Sequence, residues 1–236
     1  MENGIGGRSA LDYLIKVKGM SFTDAVIQIN GQAIIVPPAP LKKQETVENK
    51  VLLLPERNEN NDRVIKYLLG RGIHRDIIDY CIRTGRLYES CNYHNAVFIG
   101  FDLHGIPRYA TLRGTLGKRF MGEVSGSDKH FSFSIPSSSE CRKLHLFESA
   151  IGLLSYCTLE LISGRDWRKD NCLSLAGIYM PKNDIKESKL PVALTQYLKD
   201  FPMINEIVFH LDNDTAGRLA AKTIKSILPP PYTVSD

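Results

Sequence analysis

The sequence predicts an α/β protein: a C-terminal parallel sheet flanked by helices, preceded by a smaller α+β subdomain. Three observations carry this. Over residues 141–236, short apolar runs alternate with amphipathic segments, the pattern of strand–helix units and so of parallel strands joined by crossovers. Over residues 61–140, two segments of helical period precede several runs of strand type. The 236 residues are 43% apolar and 24% charged, which suits a chain able to bury its own core and excludes wholesale disorder.

Residues 1–31 read as a helical segment. In SALDYLIKVKGM, Leu11, Leu14, Ile15 and Met20 recur near the helical period, and Gly19 can end the helix. Ser21 followed by Asp24 resembles a capping box that opens a second helix through FTDAVIQI. Residues 32–60 read as a linker, with Pro37, Pro38, Pro40 and Pro55 around the polar run KKQETVENK.

Residues 61–140 form the α+β subdomain. NDRVIKYLLGRGI puts Val64, Ile65, Leu68 and Leu69 on one face and stops at Gly70 and Gly72; HRDIIDYCIRTG repeats the pattern and stops at Gly85. NAVFIGFD and IPRYATLRG flank His104-Gly105, a tight turn, and KRFMGEV and HFSFSIP are further strand candidates of the same subdomain. Residues 141–236 then supply strands in RKLHLFE, NCLSLAG and EIVFHLD. The helices SAIGLLSYCTLELI, LPVALTQYLKDF and TAGRLAAKTIKSIL follow them in turn, and YTVS starts one more strand.

Several classes are excluded or disfavoured. No apolar run approaches the ~18 residues that span a bilayer. The N-terminal MENGIGGRSALDYL lacks the basic and apolar regions of a signal peptide, so a cytoplasmic protein with no membrane partner is expected. The five cysteines contain no C-x-x-C pair, which argues against zinc and against a disulfide framework; Cys81 and Cys157 read as core. Lys and Arg exceed Asp and Glu by 30 to 26, an excess that permits a nucleic-acid partner without requiring one.

In an open parallel sheet, ligands bind beyond the carboxyl ends of the strands. There the sequence places Glu148 after the first strand, Ala176-Gly177 after the second, and Asp212 and Asp214 after the third. Crowded carboxylates raise one another's pKa and are relieved by a cation; with oxygen donors and no thiolate, Mg²⁺ or Mn²⁺ is expected. Gly217 lets the chain turn closely into the next helix, whose N-terminal end attracts phosphate. The plainer alternative is that Asp214 caps that helix and Asp212 is a solvated loop residue. His145 and His210, in the flanking strands, read as structural.

The run LHLFESAIGLLS, then LSLAG, then IVFHLDNDTAGRLAA, resembles a Toprim domain, the module shared by bacterial replicative primases, topoisomerases and some nucleases. GGRSALDYLIKVKGMSFTDAV resembles the end of a primase zinc domain, and VIKYLLGRGIHRDIIDYCIRTGRLY the helical start of a primase core. VFIGFDLHGIPRYATLRGT with GKRFMGEVSGSDKHFSF is similar to the basic subdomain beside Toprim. The resemblance implies that Glu148, Asp212 and Asp214 are metal-binding and catalytic, in nucleotidyl or phosphoryl transfer on DNA for the replication of a mobile element.

It also implies single-stranded DNA and nucleotides as partners, with a replicative helicase or a relaxase as the protein partner to look for. Arg108, Arg113, Lys118, Arg119 and Lys129, interleaved with Tyr109, Phe120 and Phe131, are the candidate nucleic-acid contacts. Gly152 stands where such primases carry an Asp four residues after the Glu. That keeps two other readings open: a catalytically inactive nucleic-acid-binding accessory protein, and a Toprim nuclease.

Overall fold

The computed structural model describes residues 10–30, 51–117, 120–177 and 188–235, and the chain divides into two units, residues 1–49 and 50–236. In the first unit, helices α1 (Ala10–Lys16) and α2 (Phe22–Asn30) pack on each other. The expected capping box forms: the Asp24 N–H donates to Ser21 Oγ at 3.2 Å, and Ser21 Oγ donates back to Asp24 Oδ2 at 2.6 Å.

The second unit holds two sheets. Helices α3 (Asp62–Gly70) and α4 (Arg75–Arg83) precede an antiparallel sheet β1 (Leu87–Glu89), β2 (Ala96–Phe101), β3 (Pro107–Arg113) and β4 (Met121–Glu123), paired in that order. The β2–β3 turn is the expected His104-Gly105, held by Asp102 Oδ1, which accepts from the N–H of His104 and of Ile106. One buried carboxylate organises the start of this subdomain. Glu89, 1% exposed, accepts from the backbone N–H of Arg63 (3.0 Å) and Val64 (3.2 Å), from Asn58 Nδ2 (2.9 Å) and from His94 Nδ1 (2.6 Å). It caps α3 from a distance in sequence, because Asn61, the residue at the cap, makes no cap bond of its own.

The second sheet has the order β5-β7-β6-β8-β9, from β5 (Ser134–Ile135), β6 (Lys143–Phe147), β7 (Asn171–Ser174), β8 (Glu206–His210) and β9 (Thr233–Ser235). The pairs β6–β7, β6–β8 and β8–β9 are parallel, as the alternation predicts. Side chains alternate across it. Leu144, Leu146, Ile207 and Phe209 pack with Leu194 and Leu198 of α6 (Val192–Asp200) and Ile224 of α7 (Thr215–Ile227). Phe147 and Cys172 face the other way, into a core with Leu153, Leu154 and Cys157 of α5 (Ala150–Ile162). That core also takes in Val64, Leu68, Ile77, Leu87 and Phe98, so the helical pair, the antiparallel sheet and the parallel sheet share it.

Two features differ from the sequence reading. HFSFSIP contributes a 3₁₀ turn (Lys129–Phe131) and then β5, which pairs antiparallel with β7 and so joins the parallel sheet rather than β4. The segment before residue 61, assigned to the linker by its prolines, is docked from residue 51 onward. Leu52 and Leu54 pack on Tyr88, Val97 and Ile99, the Leu53 N–H donates to the Ser125 carbonyl, and Tyr88 Oη donates to the Pro55 carbonyl at 2.7 Å. Residues 51–54 are a continuous apolar run, and in the structure Leu52 and Leu54 are half-buried while Val51 and Leu53 are exposed, which suits a chain laid along a sheet surface.

Candidate functional site

Strand β6 sits at the centre of the parallel sheet. From it the chain passes through α5 to β7 on one side; from β8, on the other side, it passes through α7 to β9. Helices α5 and α7 cover opposite faces. The connections therefore diverge at the carboxyl ends of β6 and β8, the switch point where open α/β sheets bind ligands. Glu148 follows β6 directly, and Asp212 lies two residues after β8.

The two meet there: the Asp212 N–H donates to Glu148 Oε1 at 3.1 Å. Asp214 caps α7, its Oδ1 accepting from the Gly217 N–H at 2.8 Å, so the capping reading holds for that carboxylate. Gly217 is buried, and a Cβ there would run into the Asp212 carbonyl and come within 3.0 Å of Glu148 Oε1. The third strand end tightens the same place: Ala176 and Gly177 adopt φ of 60° and 121°, and the Gly177 N–H donates to the Glu148 carbonyl at 2.9 Å. Partial burial pushes the Glu148 carboxyl above its usual range; the Asp212 N–H pulls it back, and the Asp212 and Asp214 carboxylates push it up again.

All three side chains offer carboxylate oxygens, the donor type that suits a hard divalent cation. Among the described residues no three Asp, Glu, His or Cys side chains are drawn together as a preformed cage. One oxygen of Asp214 is committed to the cap, and Asp212 is exposed.

The candidate nucleic-acid residues lie on the antiparallel subdomain. Arg108 Nε pairs with Asp102 Oδ2 at 2.8 Å, and Lys129 Nζ with Glu123 Oε1 at 3.1 Å. Arg113 ends β3 and is half-buried. Lys118 and Arg119 lie outside the described residues.

The sequence reading treated His145 and His210 singly, and the structure joins them on the α5 face of the sheet. His145 Nδ1 lies 2.8 Å from His210 Nε2, while His145 Nε2 faces Asp170 Oδ2 and Tyr156 Oη, each at 3.2 Å. The His210 ring stacks on Phe147, with centroids 4.8 Å apart. An ionised Asp170 accepts only, so His145 carries its proton on Nε2 and accepts at Nδ1 from His210 Nε2–H. Burial holds both imidazoles neutral, pushing His145 down and His210, next to His145, to about 4. The signal was present: strand alternation puts His145, Phe147 and His210 on one face.

A family model described as Toprim-like matches residues 145–234. The chain carries a Toprim-like domain. A second model, described as a protein of unknown function (DUF3991), matches residues 66–139. No curated protein matches the chain. Among solved structures, the primase fragment of the bacteriophage T7 primase-helicase protein matches with a TM-score of 0.52 and 16% identity, covering 83% of this chain and 76% of that one. The DnaG primase catalytic domain bound to ssDNA gives 0.46 and 12%, covering 75% and 66%. The Aquifex aeolicus primase gives 0.42 and 14%, covering 92% and 60%, so this chain spans three fifths of it. The T7 comparison shows a shared primase-like fold: a Toprim-like domain after a smaller subdomain. No described helix is long and apolar enough to cross a membrane.

Proposed function

We propose that the Toprim-like domain acts in metal-dependent nucleotidyl or phosphoryl transfer on DNA, with single-stranded DNA and nucleotides as its partners, in the replication of a mobile element. The observation that carries this is the meeting of Glu148 and Asp212 at the switch point, with Asp214 at the head of α7. Mg²⁺ or Mn²⁺ held by these carboxylates would stabilise charge on the attacking and leaving oxygens. Glu148 and Asp212 supply the oxygens nearest the crevice. Asp214 holds the first turn of α7 and keeps its second oxygen for the ion. Gly217, with no side chain, lets the Asp212 carbonyl and the Glu148 carboxylate close against the first turn of α7. The charged residues of β3 and the 3₁₀ turn, Arg108 and Lys129 together with Arg113, Lys118 and Arg119, would carry the template. A replicative helicase or a relaxase is the protein partner this reading favours.

Template-directed primer synthesis on single-stranded DNA, with nucleoside triphosphates and Mg²⁺ or Mn²⁺, is the test. The wild type is expected to extend, and Glu148→Gln and Asp212→Asn to lose at least a hundredfold in rate, on the order of a lost charge-stabilising group. Product formation unaffected by Glu148→Gln overturns the assignment. Gly152 and the capping role of Asp214 favour a second reading, an accessory protein that binds nucleic acid without turnover; it predicts binding that persists in EDTA and no product. Nicking of supercoiled plasmid in Mn²⁺ would instead identify a nuclease.

A further inference from the structure

Helix α7 carries three charged side chains, Arg218, Lys222 and Lys225, all of them cations. The helix dipole accounts for Lys225, in the last turn, but not for the other two. Asp214, four residues before Arg218, is spent on the helix cap and makes no ion pair with it; Lys222 and Lys225 have no carboxylate at i±3 or i±4; and Arg218 sits just past the first turn, near the positive end of the helix dipole. All three are exposed, and among the described residues none makes an ion pair. Arg108 and Lys129, by contrast, already hold acidic partners.

The spacing i, i+4, i+7 puts the three along one edge of the helix. There they line a groove of about 630 Å³ whose apolar surface comes from Phe209, Leu211 and Ala221 and which reaches Asp212 and Gly217. The groove thus begins at the acidic rim and runs down α7. Arg218 is fixed at its head, with Nη1 donating to the Asn213 carbonyl (3.0 Å) and to Asn213 Oδ1 (2.9 Å).

We propose that this groove is a track for single-stranded nucleic acid, with Arg218, Lys222 and Lys225 on successive phosphates and the strand leading to the carboxylates. The cations span about 10 Å of helix, the length of two or three phosphates of one strand. The apolar surface offers contact to unstacked bases, which a duplex does not present. The inference deepens the transfer reading by naming a path for its substrate, and it rests on that reading only for where the path ends.

The test is fluorescence anisotropy of a labelled oligothymidylate with the whole chain, in EDTA, between about 50 and 200 mM salt. EDTA removes turnover, so loss of the transfer reading leaves this result readable: a protein that binds through α7 and makes no product sustains the track and overturns the chemistry. Lys222→Gln with Lys225→Gln leaves the Arg218–Asn213 bonds intact. It is expected to reduce the slope of log affinity against log salt by about 1.4, and the further change Arg218→Gln to reduce it by about 2 in all. A control with Lys66→Gln and Lys199→Gln, exposed cations on α3 and α6, is expected to keep the wild-type slope. An unchanged slope in the double variant, an equal drop in the control, or equal competition by a duplex of the same length overturns the proposal.

Discussion

Gly152 and Gly217 hold the same place in two helices, three residues after the cap, and alanine at each is expected to move stability in opposite directions. At Gly152 the N–H donates to Ser149 Oγ at 3.2 Å, and a Cβ would meet that same oxygen at 3.5 Å, an ordinary contact. Gly152→Ala should therefore return the usual gain of replacing a helical glycine, about 0.5–1 kcal/mol. At Gly217 a Cβ collides with the Asp212 carbonyl, a backbone group that cannot rotate aside, and crowds Glu148 Oε1 at 3.0 Å. The first turn of α7 must retreat. That weakens the Asp214 cap, worth about 1 kcal/mol, and the charge-assisted bond from the Asp212 N–H to Glu148, worth about 1.5 kcal/mol at a partly exposed rim. The helix-propensity gain offsets part of this, leaving a net loss of about 1.5–2 kcal/mol. For a unit of this size, Gly217→Ala should lower Tm by about 3–8 °C and Gly152→Ala raise it by about 1–4 °C. Urea unfolding followed by circular dichroism, with thermal melts alongside, measures both. A Gly217→Ala variant as stable as Gly152→Ala would refute the close approach on which the site's geometry depends.

Other expectations follow from the same contacts. Glu89→Ala should cost about 3–5 kcal/mol by urea titration, since it removes a buried carboxylate that accepts from His94, Asn58 and two α3 amides. The His145–His210 pair makes stability pH-dependent. His210 titrates near 4 when folded and near its ordinary value when unfolded, so the unfolded chain binds the extra proton. Stability is then full above about pH 6.5 and falls as the pH drops toward about 4. His210→Phe should flatten that fall in a series of melts across this range. Of the five thiols, Cys91 is exposed, Cys81, Cys157 and Cys172 are buried, and Cys141 is half-buried; burial pushes the Cys81 and Cys141 thiols up, so one fast-reacting thiol is expected with a disulfide reagent, and Cys91→Ser should abolish it.

The acidic rim was legible because its logic is local. A strand end is marked by the last apolar residue of a run, and parallel order follows from strand–helix alternation, so Glu148 and Asp212 could be assigned to one edge before any coordinates. What was not legible depends on partners distant in sequence. Ser134-Ile135 looks like a hairpin strand of the preceding sheet, and only the free edge of β7 draws it into the other one. The prolines around residues 37–55 masked the apolar run of residues 51–54, of which Leu52 and Leu54 settle on Tyr88 and Val97. Nothing local in the sequence marks Glu89; its role appears only when α3 is laid against it. The groove beside the cations of α7 exists only once Phe209 and Leu211 are placed next to them.

The common core beneath α5 has a consequence for how this protein can be taken apart. Val64, Leu68, Ile77 and Phe98 lie in one continuous apolar cluster with Phe147, Leu153, Leu154 and Cys157. A cut near residue 140 would not separate two modules; it would open one hydrophobic interior down the middle and leave both fragments sticky. The antiparallel half is a structural subunit of the Toprim-like half, and the two should melt, exchange amides and resist proteases as a single cooperative body.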